Sequence, residues 1–143
     1  MDHVAILKKK WKLTSKILSG EKTIESRWYK TKRDPWNKIK KGETVYLKDS
    51  GDPVIAKAEV LRVIQVPDLN NSKLIKLLEK HHQSLGIETD KISEYAKQFS
   101  DKNYCILIYL KNPVRIEPFF IDKTGYGLMS AWLCVENITE VKK

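Results

Sequence analysis

The run Gly20-Glu-Lys-Thr-Ile-Glu-Ser-Arg-Trp28 holds the residues best able to do chemistry. Glu25 stands two positions before Arg27, and Lys22 stands three positions before Glu25. The run reads as a strand. Strand side chains alternate between faces, so Thr23, Glu25 and Arg27 are expected on one face and Ile24, Ser26 and Trp28 on the other. Lys22 sits at the mouth of the strand, where strict alternation need not hold. A carboxylate can accept from the amino edge of cytosine or adenine. A guanidinium can hold a phosphate or a base carbonyl through two parallel bonds. A lysine held among other cations has a lowered pKa and can serve as nucleophile or general base. The same three charges can also be a structural ion cluster that ties the strand to nearby loops. The residue types alone leave both readings open.

Other chemistry is thin. The three histidines, His3, His81 and His82, lie at no metal-ligand spacing with a cysteine or carboxylate, and two cysteines do not make a zinc site. No metal and no cofactor are therefore expected. Gly125-x-Gly127 lacks the third glycine and the strand-to-helix setting of a dinucleotide loop. A turn that needs positive φ accounts for it. Lys123 beside it keeps the loop as a candidate backbone contact to a ligand.

The charge is uneven. The chain carries +9. Met1 to Val66 holds 16 Lys and Arg against 8 Asp and Glu, while Pro67 to Lys143 holds 11 against 10. The basic half also contains Trp11, Trp28 and Trp36. Cations among aromatic rings suit nucleic acid, with phosphates on the cations and bases on the rings. A lysine-rich solvated surface, common in heat-adapted chains, is the plain alternative. At 143 residues, one domain is expected. Cys105 and Cys134 lie in apolar runs and read as free thiols, which fits a reducing cytoplasm. No apolar run reaches membrane-spanning length, and no signal peptide is read, so no membrane partner is expected.

These residues need a scaffold. Val4 to Leu7 reads as a first strand. A helix follows, capped by Thr14, facing inward through Ile17 and Leu18, and ended by Gly20. Asp34-Pro35-Trp36 opens a further helical turn, anchored by Ile39 and stopped at Gly42. Thr44 to Lys48 is a strand, joined through the turn Ser50 to Pro53 to a long strand, Val54 to Val66. The polar positions of that strand slip in parity between Glu59 and Arg62, which predicts a bulge near Val60. Ser72 to Leu85 reads as a helix stopped by Gly86. Thr89 caps another, with Ile92, Tyr95, Ala96 and Phe99 inward. Together they form a two-helix insertion. Tyr104 to Leu110 is a central apolar strand, and Pro113 to Ile121 a further strand with Pro118 at an edge or bulge. Ala131 to Val135 and Ile138 to Val141 close the chain as strand.

Gly20, Lys22, Glu25 and Arg27 match the Gly-x-Lys-x-x-Glu-x-Arg signature of the ASCH domain, which the chain resembles from about Val4 to Val141. The short helix before the motif, the Gly42-Glu43 step into a strand and the Trp132 strand are similar too. The resemblance implies an α+β fold, a PUA-like small mixed β-barrel with flanking helices. It also implies a ligand cleft beside the motif, and the family is associated with RNA or nucleotide-like ligands. One bacterial branch hydrolyses 4-acetylcytidine with a motif lysine, a threonine three residues on and a downstream glutamate. Lys22 matches the lysine. Glu25 stands where the threonine would be, and Glu88 is the candidate downstream carboxylate. Some relatives are ribonucleases.

The expected function is binding of RNA or a modified nucleoside in a cleft lined by Lys22, Glu25 and Arg27. Lys30, Lys32 and Arg33 would extend a basic rim, with Lys123 beyond it. Trp28 or Trp36 would offer a stacking face, although Trp28 and Trp132 fit a core equally well. The alternative is a small amidohydrolase on an acylated nucleoside, with Lys22 and Glu25 as its catalytic residues, or a ribonuclease. A protein-interaction module would instead present an exposed apolar patch.

Overall fold

The computed structural model describes residues 1–143. Six strands form one sheet: β1 (Asp2–Leu7), β2 (Ile24–Tyr29), β3 (Thr44–Asp49), β4 (Val54–Val66), β5 (Tyr104–Phe119) and β6 (Trp132–Val135). Their order across the sheet is β2-β5-β4-β3-β1-β6. The β1–β3 pair is parallel and the others are antiparallel, so the sheet is mixed. Three α-helices decorate it: α1 (Leu13–Ser19), α2 (Asn71–His81) and α3 (Ile92–Gln98). No helix is long and apolar enough to cross a membrane.

The sheet curls because its two longest strands bend. The β4–β5 ladder shifts register three times, once between Val60 and Arg62, where the parity slip predicts it. Each extra residue adds local twist and turns the strand away from a flat ribbon. The curl brings edge strand β2 back towards β1 and the lead-in to β6. Arg27 spans that seam, its guanidinium donating to the carbonyl oxygens of Ala131 at 3.1 Å and Ile6 at 3.3 Å. One face of the sheet holds the main core, including Ala5, Ile17, Val45, Leu47, Val60 and Ile108. The other face of β2 and β5 is covered by the two-helix insertion between β4 and β5, through Leu74, Leu78, Leu85 and Ile87 packed on Ile24, Trp28 and Leu107.

Several local expectations are corrected. Thr14 does not cap α1: Lys12, in a left-handed conformation, precedes the helix, and the buried Thr14 hydroxyl donates to Asp49 at 2.8 Å. Asp34 to Lys38 forms turns and no helix. Helix α2 stops at His81, capped at its start by Asn70, and Thr89 opens a 3₁₀ turn without a side-chain cap. The stretches read as two strands around Pro113 are one strand, β5, because β4 continues beside it and the register shifts absorb the break. Ile138–Glu140 is a 3₁₀ turn, and only Ile121 and Lys142 make a bridge near the end of the chain.

Candidate ligand cleft

Helix α1 ends at Gly20, whose φ of +83° suits glycine. The reversal aims the chain into β2 and drops Lys22 against the segment that follows α2. Backbone bonds fix this junction: the amides of Thr23 and Ile24 both donate to the Ser84 carbonyl. Lys22 is 3% exposed, and its ammonium donates to the Leu85 carbonyl at 2.8 Å.

Glu25 lies between the two cations. Its Oε1 is 3.5 Å from Lys22 Nζ, and its Oε2 accepts from Arg27 Nη2 at 3.0 Å. The Ser26 amide donates to the same carboxylate at 3.0 Å. Glu25 and Arg27 share a face of β2, as period-two alternation requires. Burial pushes the Glu25 carboxyl up, but Arg27 and Lys22 together pull harder and hold it below its ordinary value. Burial is the largest influence on Lys22 and lowers its pKa; Glu25 opposes this, and Arg27 and Lys16 add to it. The triad has one negative charge for two cationic side chains. Its surplus is therefore positive when Lys22 is protonated. The Nε–H of Arg27 is buried and makes no well-formed hydrogen bond, although the Tyr29 hydroxyl lies near the guanidinium; that is costly unless something completes it.

The triad lines a cleft of about 340 Å³, towards the lower end of the range of about 300–1,000 Å³ for small-molecule sites. Trp11, Tyr95, Phe99 and Trp28 supply aromatic walls, and Leu85 to Ile87 close one side. Trp28 stacks on Phe99 with ring centres 4.7 Å apart and planes 9° from parallel. Its indole N–H donates to Ser26 Oγ at 2.9 Å. Trp11 meets Tyr95 edge-on at 5.9 Å, with Lys8 Nζ 4.3 Å from the Trp11 ring centre. Beyond Tyr95 the cleft runs into a groove bounded by Lys16, Glu88, Lys91 and Glu94.

Lys22, Glu25, Arg27 and Trp28 thus line one cleft. Lys30, Lys32, Arg33 and Lys123 do not line it. Lys30 pairs with Asp101 at 3.0 Å, and Lys32 lies over Trp36 and Tyr104. Lys123 donates to the carbonyls of Leu128 and Ser130 at 2.8 and 2.7 Å, which ties its own loop together. Trp36 packs at the main core, edge-on to Tyr104. Lys8 and Lys102 line the cleft instead, as do the unforeseen rings of Trp11, Tyr95 and Phe99. Their signal was present: Tyr95 and Phe99 stand on one face of a predicted helix, which reads as core until the helix is seen to overhang an opening. Glu88 is exposed and borders the outer groove, not the triad.

No protein-family model and no curated protein matches the sequence. Solved structures do. The crystal structure of ASCH from Zymomonas mobilis matches at 14% identity and a TM-score of 0.68, over 99% of this chain and 96% of that one. A mutant of that Zymomonas mobilis protein gives a TM-score of 0.69 at 14% identity, with 99% of both chains covered. The N-terminal domain of Staphylothermus marinus McrB matches at 17% identity and a TM-score of 0.52, over 82% of this chain and 75% of that domain. The fold is therefore that of an ASCH domain, α+β and PUA-like in architecture. The agreement extends over nearly the whole chain, insertion included.

Proposed function

We propose that the protein is a nucleic-acid-binding domain that takes a base of single-stranded RNA, or a modified nucleoside, into the cleft. One observation carries this reading: a net-positive triad with an unpaired buried N–H on Arg27 lies in a cleft walled by aromatic rings. Rings give a flat base a surface to stack on. The Arg27 Nε–H gives its carbonyl edge a donor. Lys8 and Lys102 at the cleft suit the flanking phosphates, and the ASCH-type fold agrees with such a ligand.

Glu25 acts mainly by holding the two cations, because its oxygens already accept from Arg27 and Ser26 and face Lys22. Lys30, Lys32, Arg33 and Lys123 belong to an outer basic surface that strengthens RNA binding without reading the base.

A second reading, hydrolysis of an acylated nucleoside, draws on the lowered pKa of Lys22, which favours a neutral amine. Against it, the Lys22 nitrogen is already bonded to Leu85, and the hydroxyl expected three residues later is a carboxylate.

The test is binding of a short pyrimidine RNA across a salt series, in the parent and in Arg27→Lys and Lys22→Met. The expected result is affinity that falls steeply with salt, with each variant weaker at every salt concentration. RNA binding unaltered in both variants would place the ligand elsewhere. Incubation with 4-acetylcytidine decides the second reading: cytidine released by the parent and not by Lys22→Met would favour hydrolysis.

A further inference from the structure

His3, on β1, is fully buried and does not line the cleft. Trp132 Nε1 donates to its Nδ1 at 3.1 Å, and its Nε2 is 2.9 Å from Glu43 Oε1. An indole nitrogen only donates. His3 Nδ1 must therefore be the acceptor, and in the neutral ring the proton sits on Nε2 and is donated to Glu43. Glu43 is fixed in turn by the Lys40 amide at 2.8 Å and the N-terminal ammonium at 3.4 Å.

Trp132 is 3% exposed, and its other neighbour is Arg27, whose guanidinium carbon lies 5.0 Å from the indole ring centre. That distance is within cation–π range. The preceding residue, Ala131, supplies the carbonyl that accepts from Arg27 Nη1. One face of the ring and one adjacent carbonyl thus hold the guanidinium, Ala131 through Nη1 while Glu25 takes Nη2. A buried indole whose N–H lost its acceptor would tilt to find another, and the ring face would move with it.

We infer that His3 is a positioning residue for Arg27: by accepting the Trp132 indole N–H it locks the ring that supports the guanidinium, and so sets the direction in which Arg27 meets a ligand. The chain of contacts is Glu43, His3, Trp132, Arg27, Glu25. It runs from β3's lead-in across β1 and β6 to β2, and it crosses the seam of the curled sheet. The consequence for ligand affinity rests on the cleft reading above; the positioning itself does not.

The experiment uses the full chain and nitrogen-15 NMR of the tryptophan indole and arginine Nε–H groups, with no ligand present. His3→Leu removes the acceptor. His3→Asn returns an oxygen near the place of Nδ1. Trp132→Phe keeps a ring but has no N–H, and serves if His3→Leu fails to fold. The expected result is that the Arg27 Nε–H resonance shifts or broadens in His3→Leu and in Trp132→Phe, and returns towards its parent position in His3→Asn. Pyrimidine RNA affinity should fall about fivefold in Trp132→Phe, the scale of one weakened cation–π contact. An Arg27 resonance unmoved in Trp132→Phe, or unmoved in a folded His3→Leu whose Trp132 signal has shifted, would overturn the inference. A moved Arg27 resonance with unchanged RNA affinity would keep the positioning and count against the cleft reading.

Discussion

A Cβ placed on Gly86 would lie 3.3 Å from the Cβ of Lys22, so the glycine after α2 and the lysine before β2 pack backbone to side chain. Gly86 also has a φ of +75°, in the left-handed region. The close approach is what lets Lys22 lie flat under the Leu85 carbonyl and reach Glu25.

Gly86→Ala should therefore cost more than backbone strain. The left-handed conformation alone costs an ordinary residue about 1–2 kcal/mol. Gly20 is the control, with a φ of +83° and nothing within 4 Å of an added Cβ. Denaturant unfolding should show Gly86→Ala less stable than Gly20→Ala, with the difference reporting the displaced Lys22. Equal losses would show that the contact relaxes freely.

Glu25→Gln should destabilise the protein by about 3–5 kcal/mol, the usual cost of removing one partner from a buried ion pair. Glu25 is 3% exposed and serves the buried Lys22 and the largely buried Arg27, so its loss leaves both cations uncompensated. Read from residue types alone, Glu25 is equally a recognition group, and Glu25→Gln would then spoil binding more than folding. The geometry favours the opposite order. Thermal and chemical melts check it, and a change below about 1 kcal/mol, the scale of an exposed pair, would restore the recognition role.

The same triad sets a pH dependence. The folded pKa of Glu25 lies below its ordinary value, so its contribution is fully present above the unfolded carboxylate range near about 4.3 and is lost as pH falls through the lower folded value. The folded pKa of Lys22 is also lowered, which means the unfolded chain binds more protons between that value and about 10.4. Stability should rise with pH across that interval. Melts across pH should show the acid loss reduced in Glu25→Gln and the alkaline rise reduced in Lys22→Met. Parallel curves in parent and variants would contradict the assignment.

Much of this was legible where local pattern decides. Alternation placed Glu25 beside Arg27, Gly20 ended α1, and the parity slip near Val60 located a bulge that helps to curl the sheet. What escaped depended on distant partners. Lys22 is buried by Leu85 and Gly86, more than sixty positions away, and no periodicity carries that. Thr14 looked like a cap until Asp49 took its hydroxyl. Asn112 and Pro113 look like a strand break, but Asn112 takes a φ of +53° and β4 runs on beside β5. The basic loop at Lys30 to Arg33 stands out by charge alone, whereas two of the aromatic walls, Tyr95 and Phe99, come from a helix face that reads as ordinary core.

The most direct test of the cleft is an NMR titration of the nitrogen-15-labelled protein with a short pyrimidine RNA and, separately, with cytidine, following the indole and Arg27 Nε–H signals. Arg27 Nε–H, Trp11 and Trp28 should move together and saturate at one ligand concentration, while Trp36 stays still. Movement confined to the exposed lysine-rich surface, with Arg27 Nε–H unchanged at saturation, would contradict the cleft reading.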